Sequence, residues 1–397
     1  MHFLQNARIL TPDISAARHL LIGGGRILWV GENPEDSSAM EKLPGLKVID
    51  LEDRWLAPGL VDCHAHITGG GGESGFSSQV PAPPLSRYTS AGVTSVIGLL
   101  GTDDLTRSTS ALLARTRALN EEGISAWCYT GGYHLPLTTL TGSARSDIVH
   151  IDPVIGVGEF ALSDHRSSQP TLDELLRVAS EVHVAGLMSG KAGVLHLHMG
   201  DGERGLELVR QAIAGSELPA RVFHPTHVNR RRELFAEALQ LTELGCTIDV
   251  TAFPVGENED AWSAADAIRI FLDKGLPPER LTVSSDGGGC LPVFDEDGRI
   301  SSMDVGDASA LLDTIRELCG DGLALDAILP FFTRNPAALM RLAEKGCVAS
   351  GCAADLLVLD DDLSLWGVMA RGQWHRRNHE QLEHGFFEGE AACARPK

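Results

Sequence analysis

Basic residues are scarce: 33 Lys and Arg stand against 54 Asp and Glu, a formal net charge of −21. Binding to nucleic acid or to an anionic membrane needs clustered cations on phosphate, so neither is expected as a partner. No apolar run approaches the roughly 18 residues of a bilayer-crossing helix, and no basic stretch leads into an apolar segment at the N-terminus. The expected location is therefore the cytoplasm. The eight cysteines contain no CxxC pair and no dense framework, which fits reduced thiols better than disulfides. Aromatic residues make up only 5%, with three tyrosines, so a tyrosine in a distinctive setting carries weight. At 397 residues the chain suffices for one large domain with a buried core and a smaller one.

What is present begins with Val61-Asp62-Cys63-His64-Ala65-His66, directly after the apolar stretch 56–60. Side chains two apart on a strand share a face, so His64 and His66 converge on one spot. Such a pair starts a divalent metal site, although an HxH alone is equally a hydrogen-bonded pair at a strand end. Further strand-like runs follow at 93–100, 125–130, 154–161, 194–198, 222–228, 247–253 and 281–285. Amphipathic stretches separate them. One starts at Thr171 with Glu174 as a capping-box partner, and others stop at Gly123, Gly245 and Gly275. Eight strands alternating with helices predict a (β/α)8 barrel. A doubly wound sheet is the rival, but it ordinarily carries a Gly-rich loop after its first strand, where this chain has HxH. Residues 1–55 and 344–397 read as short strands, so both termini are expected to build a small β domain around a barrel at 56–343.

A barrel enzyme carries its chemistry at the C-terminal ends of its strands. Those positions hold His64 and His66, Thr102, Tyr133, Glu159, His198, His227 and Asp286. Four imidazoles and two carboxylates suit two divalent ions, one carboxylate bridging.

This order of groups resembles the amidohydrolase superfamily, as do Asn335-Pro336-Ala337 and the ADLLVLD string in 351–361. Within it the chain is similar to the isoaspartyl (β-aspartyl) dipeptidase family. The likeness rests on HAHITGGGGESG at 64–75, VTSVIGLLGTD at 93–103, SDHRS at 163–167, HMGD at 198–201 and THVNR at 226–230. The resemblance implies a dipeptide substrate and two ions, zinc in the family, with His64 and His66 on one and His198 and His227 on the other. Asp286 would touch the first ion and serve as general base and acid, a metal-bridging water being the nucleophile. Tyr133 would stabilise the developing oxyanion. Glu73 would meet the substrate ammonium with Thr102 nearby, and Arg166 and Arg230 would clamp the α-carboxylate. A ring-like homo-oligomer, an octamer in the family, is a further implication.

Two departures stand out. The best-known members bridge their metals with a carbamylated lysine on the fourth strand, where this chain has Gly158-Glu159; Glu159 is expected as the bridge, with no carbamate. Cys290 stands where members of the family this chain resembles have a serine that helps bind the substrate carboxylate, and a thiol is a weaker donor. Competing readings are a hydrolase of cyclic amides, a deacylase of N-acyl amino acids, and a non-catalytic barrel scaffold.

Overall fold

The computed structural model describes residues 1–11, 14–32, 44–256, 259–294 and 300–388. The chain starts with β1 (His2–Gln5), β2 (Arg8–Ile9), β3 (His19–Gly23), β4 (Arg26–Gly31), β5 (Lys47–Asp50) and β6 (Trp55–Pro58). Four of these form one sheet in the order β4-β3-β1-β5. Eight further strands follow: β7 (Leu60–Ala65), β8 (Val93–Gly98), β9 (Ser125–Thr130), β10 (Val154–Leu162), β11 (Val194–Met199), β12 (Phe223–Thr226), β13 (Ile248–Thr251) and β14 (Leu281–Ser284). Each lies within or against one of the runs read from the sequence.

Strands β7 to β12 pair in parallel as one sheet in sequence order, and β13 pairs in parallel with β14. Side chains and loops close the two seams: Thr226 Oγ1 donates to Asp249 Oδ2 at 2.7 Å, and His66 N donates to Gly287 O at 2.8 Å. Helices at Thr109–Glu122, Leu172–Ser189, Arg232–Glu243 and Ala264–Asp273 lie among the connections. The Thr171–Glu174 capping box forms as expected, and Gly123, Gly245 and Gly275 take left-handed conformations past helix ends. The fold is the (β/α)8 barrel with added β-structure from both termini.

After the barrel come β15 (Cys290–Phe294), β16 (Ile300–Val305), β17 (Leu356–Leu359), β18 (Leu365–Ala370), β19 (Gln373–Arg377) and β20 (Glu380–Gln381). The last four join β2 and β6 in the order β2-β6-β17-β18-β19-β20, so N- and C-terminal segments share a sheet. Leu4, Ile22, Leu56, Val358 and Met369 belong to an apolar cluster formed by these terminal segments. The hairpin of β15 and β16 has no counterpart among the strands expected from sequence.

The expectation of reduced thiols throughout needs correction, because Cys347 and Cys352 form a disulfide with Cα atoms 6.4 Å apart. The cause is local: Gly346 and Gly351 have positive φ angles of 67° and 94°, folding the intervening segment back on itself. Cys63, Cys128, Cys246, Cys290 and Cys319 are free; Cys393 lies outside the described residues. Among the described residues no helix is long and apolar enough to cross a membrane.

Candidate active site

Backbone irregularities aim the expected ligands into the barrel mouth. His64 occupies the penultimate position of β7 and His66 follows its end, both buried. The pairing of β10 with β11 shifts register between Val157 and Phe160, taking Gly158 and Glu159 out of the regular ladder. A Cβ at Gly158 would lie 2.8 Å from His196 Cβ, so only glycine lets this backbone pack so closely. His227 and Asp286, just past β12 and β14, have φ of 60° and 51°. Left-handed backbone is uncommon in non-glycine residues.

Glu159 stands at the centre. Its Oε2 lies 3.0 Å from His198 Nδ1, 3.4 Å from His227 Nε2 and 3.6 Å from His64 Nε2, while Oε1 is 3.4 Å from His66 Nε2. Asp286 Oδ1 lies 3.3 Å from His64 Nε2 and 3.1 Å from His66 Nε2. At the barrel mouth, among the described residues, three sets of donor atoms converge closely enough to share an ion: His64, His66 and Glu159; His64, His227 and Asp286; and Glu159, His198 and His227.

The electrostatics of this cluster call for a cation. Burial, reinforced by the Asp286 charge, pushes the Glu159 carboxyl well above its ordinary range. Burial drives His227 well below its usual value and His198 down to about 3, leaving neutral imidazoles with lone pairs to offer. His64 Nε2 and Asp286 Oδ1 are buried, close together and too poorly aligned to hydrogen-bond. Neutral imidazole nitrogens and carboxylate oxygens gathered at this spacing are the donor set that suits divalent metal ions.

Above the cluster opens a cavity of about 430 Å³, lined by Glu73, Thr102, Tyr133, Arg166, Arg230 and Cys290 together with every expected ligand except the deeper His64. Tyr133 Oη lies 2.7 Å from His198 Nδ1. Burial and the Glu159 charge push its phenol well up, so it stays protonated. Glu73 Oε1 is 3.4 Å from Arg166 NH1, and Glu73 Oε2 is buried without a hydrogen-bond partner. Arg230 donates to Met199 O at 2.9 Å and pairs with Asp201 at 3.1 Å. Burial, Glu73 and Asp286 raise the Cys290 thiol to about 12.

One important residue was not picked out in the sequence. Asp164 accepts from Arg166 Nε at 3.0 Å and NH2 at 2.7 Å, and its Oδ2 lies 3.0 Å from His198 Nε2. It thereby ties the guanidinium to the imidazole–carboxylate cluster. Its place two residues before Arg166, in SDHRS, was the available signal. Phe253, Pro254 and Leu291 complete the apolar part of the wall and were also missed.

A parallel barrel with these groups at its strand ends defines a metal-dependent hydrolase. The model of the amidohydrolase family matches residues 55–379. A β-aspartyl dipeptidase from Fervidobacterium islandicum AW-1, solved in complex with the β-Asp-Leu dipeptide, is 39% identical; the match covers 96% of this chain and 98% of that one, with a TM-score of 0.89. The chain belongs to the amidohydrolase family and, within it, to the isoaspartyl dipeptidases. A dihydropyrimidinase from Brevibacillus agri, 15% identical over 97% of this chain and 96% of its own, shares the fold with a TM-score of 0.66. An imidazolonepropionase from Colwellia psychrerythraea is 31% identical over 126 residues; the aligned part spans only 29% of that relative's length.

Proposed function

We propose that this chain hydrolyses the side-chain amide of β-aspartyl dipeptides, using two divalent metal ions that we take to be zinc. The observation that carries the reading is the joining, in one cavity, of the imidazole–carboxylate cluster with Glu73, Arg166 and Arg230. His64, His66 and Asp286 would hold one ion and His198 and His227 the other, with Glu159 shared and no carbamate. Bound there, the metal supplies Lewis acidity and a water acidic enough to act near neutral pH.

The protein's own groups do the rest. Asp286 Oδ1, with no hydrogen bond of its own, takes a proton from the attacking water and passes it to the departing amine. Tyr133 keeps its proton and donates to the carbonyl oxygen as negative charge grows there. Glu73 Oε2 accepts from the α-ammonium, and Thr102 adds a polar contact. Arg166, already oriented by Asp164, and Arg230 donate to the α-carboxylate, the planar fork matching two oxygens. Cys290 borders the same pocket as a neutral, weak donor.

We further propose a homo-oligomer, with the octamer as the expected form. A cytoplasmic location is supported by the five free thiols among the described residues; the Cys347–Cys352 disulfide weighs against it. Assaying metal-replete enzyme on β-Asp-Leu, dihydroorotate and an N-acyl amino acid tests the function. Release of aspartate and leucine from the first alone is expected. Ring opening or deacylation with β-Asp-Leu untouched would refute the substrate and leave the metal site standing.

A further inference from the structure

Directly beneath the ligand cluster the barrel interior is polar, with His196, His224, Asp249, Thr226, Thr282 and Ser284 all buried. They form a continuous series of short contacts running down from His64. His64 Nδ1 lies 2.8 Å from His196 Nε2, and His196 Nδ1 lies 2.9 Å from His224 Nδ1. His224 Nε2 is 3.0 Å from Thr282 Oγ1, which donates to Asp249 Oδ1 at 2.6 Å. The other Asp249 oxygen accepts from Thr226 Oγ1 at 2.7 Å and Ser284 Oγ at 2.5 Å.

Proton bookkeeping gives this series a direction. An ionised carboxylate only accepts, and a hydroxyl has one proton to give. Thr282 directs its proton to Asp249, so it must accept from His224, which therefore carries hydrogen on Nε2. A neutral imidazole protonated there has its lone pair on Nδ1, so His196 must donate from Nδ1. His196 then offers a lone pair at Nε2, and His64 must donate from Nδ1. That leaves the His64 Nε2 lone pair directed into the site, where the nitrogen is buried without a hydrogen bond.

We infer that Asp249, acting through Thr282, His224 and His196, fixes His64 as its Nδ1–H tautomer and so presents Nε2 as a ready metal ligand. The four are positioning residues, and none lines the cavity. A histidine ligand is commonly oriented by a carboxylate or carbonyl on its other nitrogen; here the carboxylate acts at a distance, through two further rings and a hydroxyl. Cys63, His224 and Asp249 are close enough to share an ion themselves. Both nitrogens of His224 and both oxygens of Asp249 already have partners, and burial beside two carboxylates keeps the Cys63 thiol protonated. That cluster is therefore read as hydrogen-bonded support.

The inference rests on the reading of His64 as a ligand, so the test separates the two. In metal-free protein labelled with 15N-histidine, nitrogen shifts should show hydrogen on Nδ1 of His64 and His196 and on Nε2 of His224. A His64 ring protonated at Nε2 overturns the inference, whatever the variants do. Zinc affinity, measured against a chromogenic chelator, should fall about 10–100-fold in Thr282→Val, the usual effect of losing an outer partner, and recover in Thr282→Ser. Wild-type affinity in folded Thr282→Val would also overturn it. If His64→Ala leaves affinity unchanged, the ligand assignment fails instead, while the nitrogen shifts still judge the relay. Should Thr282→Val fail to fold, the wild-type spectrum alone decides.

Discussion

Replacing Glu159 by glutamine should weaken metal binding severely without harming the metal-free fold. The substitution keeps shape and removes one negative charge from the point where four imidazole nitrogens lie within 3.0–3.6 Å. Glu159 belongs to two of the ion-capable sets, one with His64 and His66 and the other with His198 and His227. Both sites therefore lose a charged ligand together. Removing one partner of a buried ionic contact costs about 3–5 kcal/mol. At about 1.4 kcal/mol per tenfold, that is roughly two to three and a half orders of magnitude in affinity. In metal-free protein the effect reverses, because burial and Asp286 already disfavour the Glu159 carboxylate and glutamine relieves that conflict. Chelator competition would measure the affinities, and calorimetry on EDTA-treated samples would compare melting temperatures. Wild-type affinity and stoichiometry in Glu159→Gln would refute the bridging role; a clearly lower metal-free melting temperature would refute the electrostatic argument.

Asp286→Asn should cut turnover by about 10²–10⁴-fold through loss of the proton carrier, while much of the metal content survives; near-normal turnover would reject that role. Arg230→Ala should cost about 2–5 kcal/mol in kcat/KM on β-Asp-Leu and far less on an uncharged amide, so equal losses would remove it from the carboxylate clamp. Metal-stripped enzyme should regain activity with zinc alone, and a requirement for bicarbonate would contradict a carbamate-free bridge. Cys290 should resist iodoacetamide at pH 8, since a thiol raised to about 12 has roughly a thousandfold less thiolate than a free one; alkylation at the free-cysteine rate would show that burial and the neighbouring Glu73 and Asp286 do not hold it protonated.

The barrel was legible because its signals are local and repetitive: apolar runs, capping residues and terminal glycines recur in order. The ligand candidates could be read from their positions at strand ends. Groups acting across the barrel were harder to see. Asp164 matters because the loop after β10 turns it toward His198 and Arg166 at once, which no periodicity encodes. His196 had a signal, since it stands two residues before His198 and so shares its face, but its contact with His224 depends on the register of β11 with β12, and its contact with His64 crosses the barrel from β7. The hairpin of β15 and β16, which brings Cys290 and Leu291 to the cavity, follows the eighth strand where the repeat ends. The Cys347–Cys352 disulfide escaped a reading based on CxxC spacing and cysteine density.

The most direct test of the account is the ratio of kcat/KM for β-Asp-Leu to that for α-Asp-Leu in metal-replete enzyme. The two substrates share atoms and charge and differ in which carboxyl carries the amide, so the ratio isolates what Glu73, Arg166 and Arg230 are proposed to read. A strong preference for the β-linked isomer, largely lost in Arg230→Ala, is predicted. Equal rates on both isomers, or a preference unaltered in that variant, would contradict it.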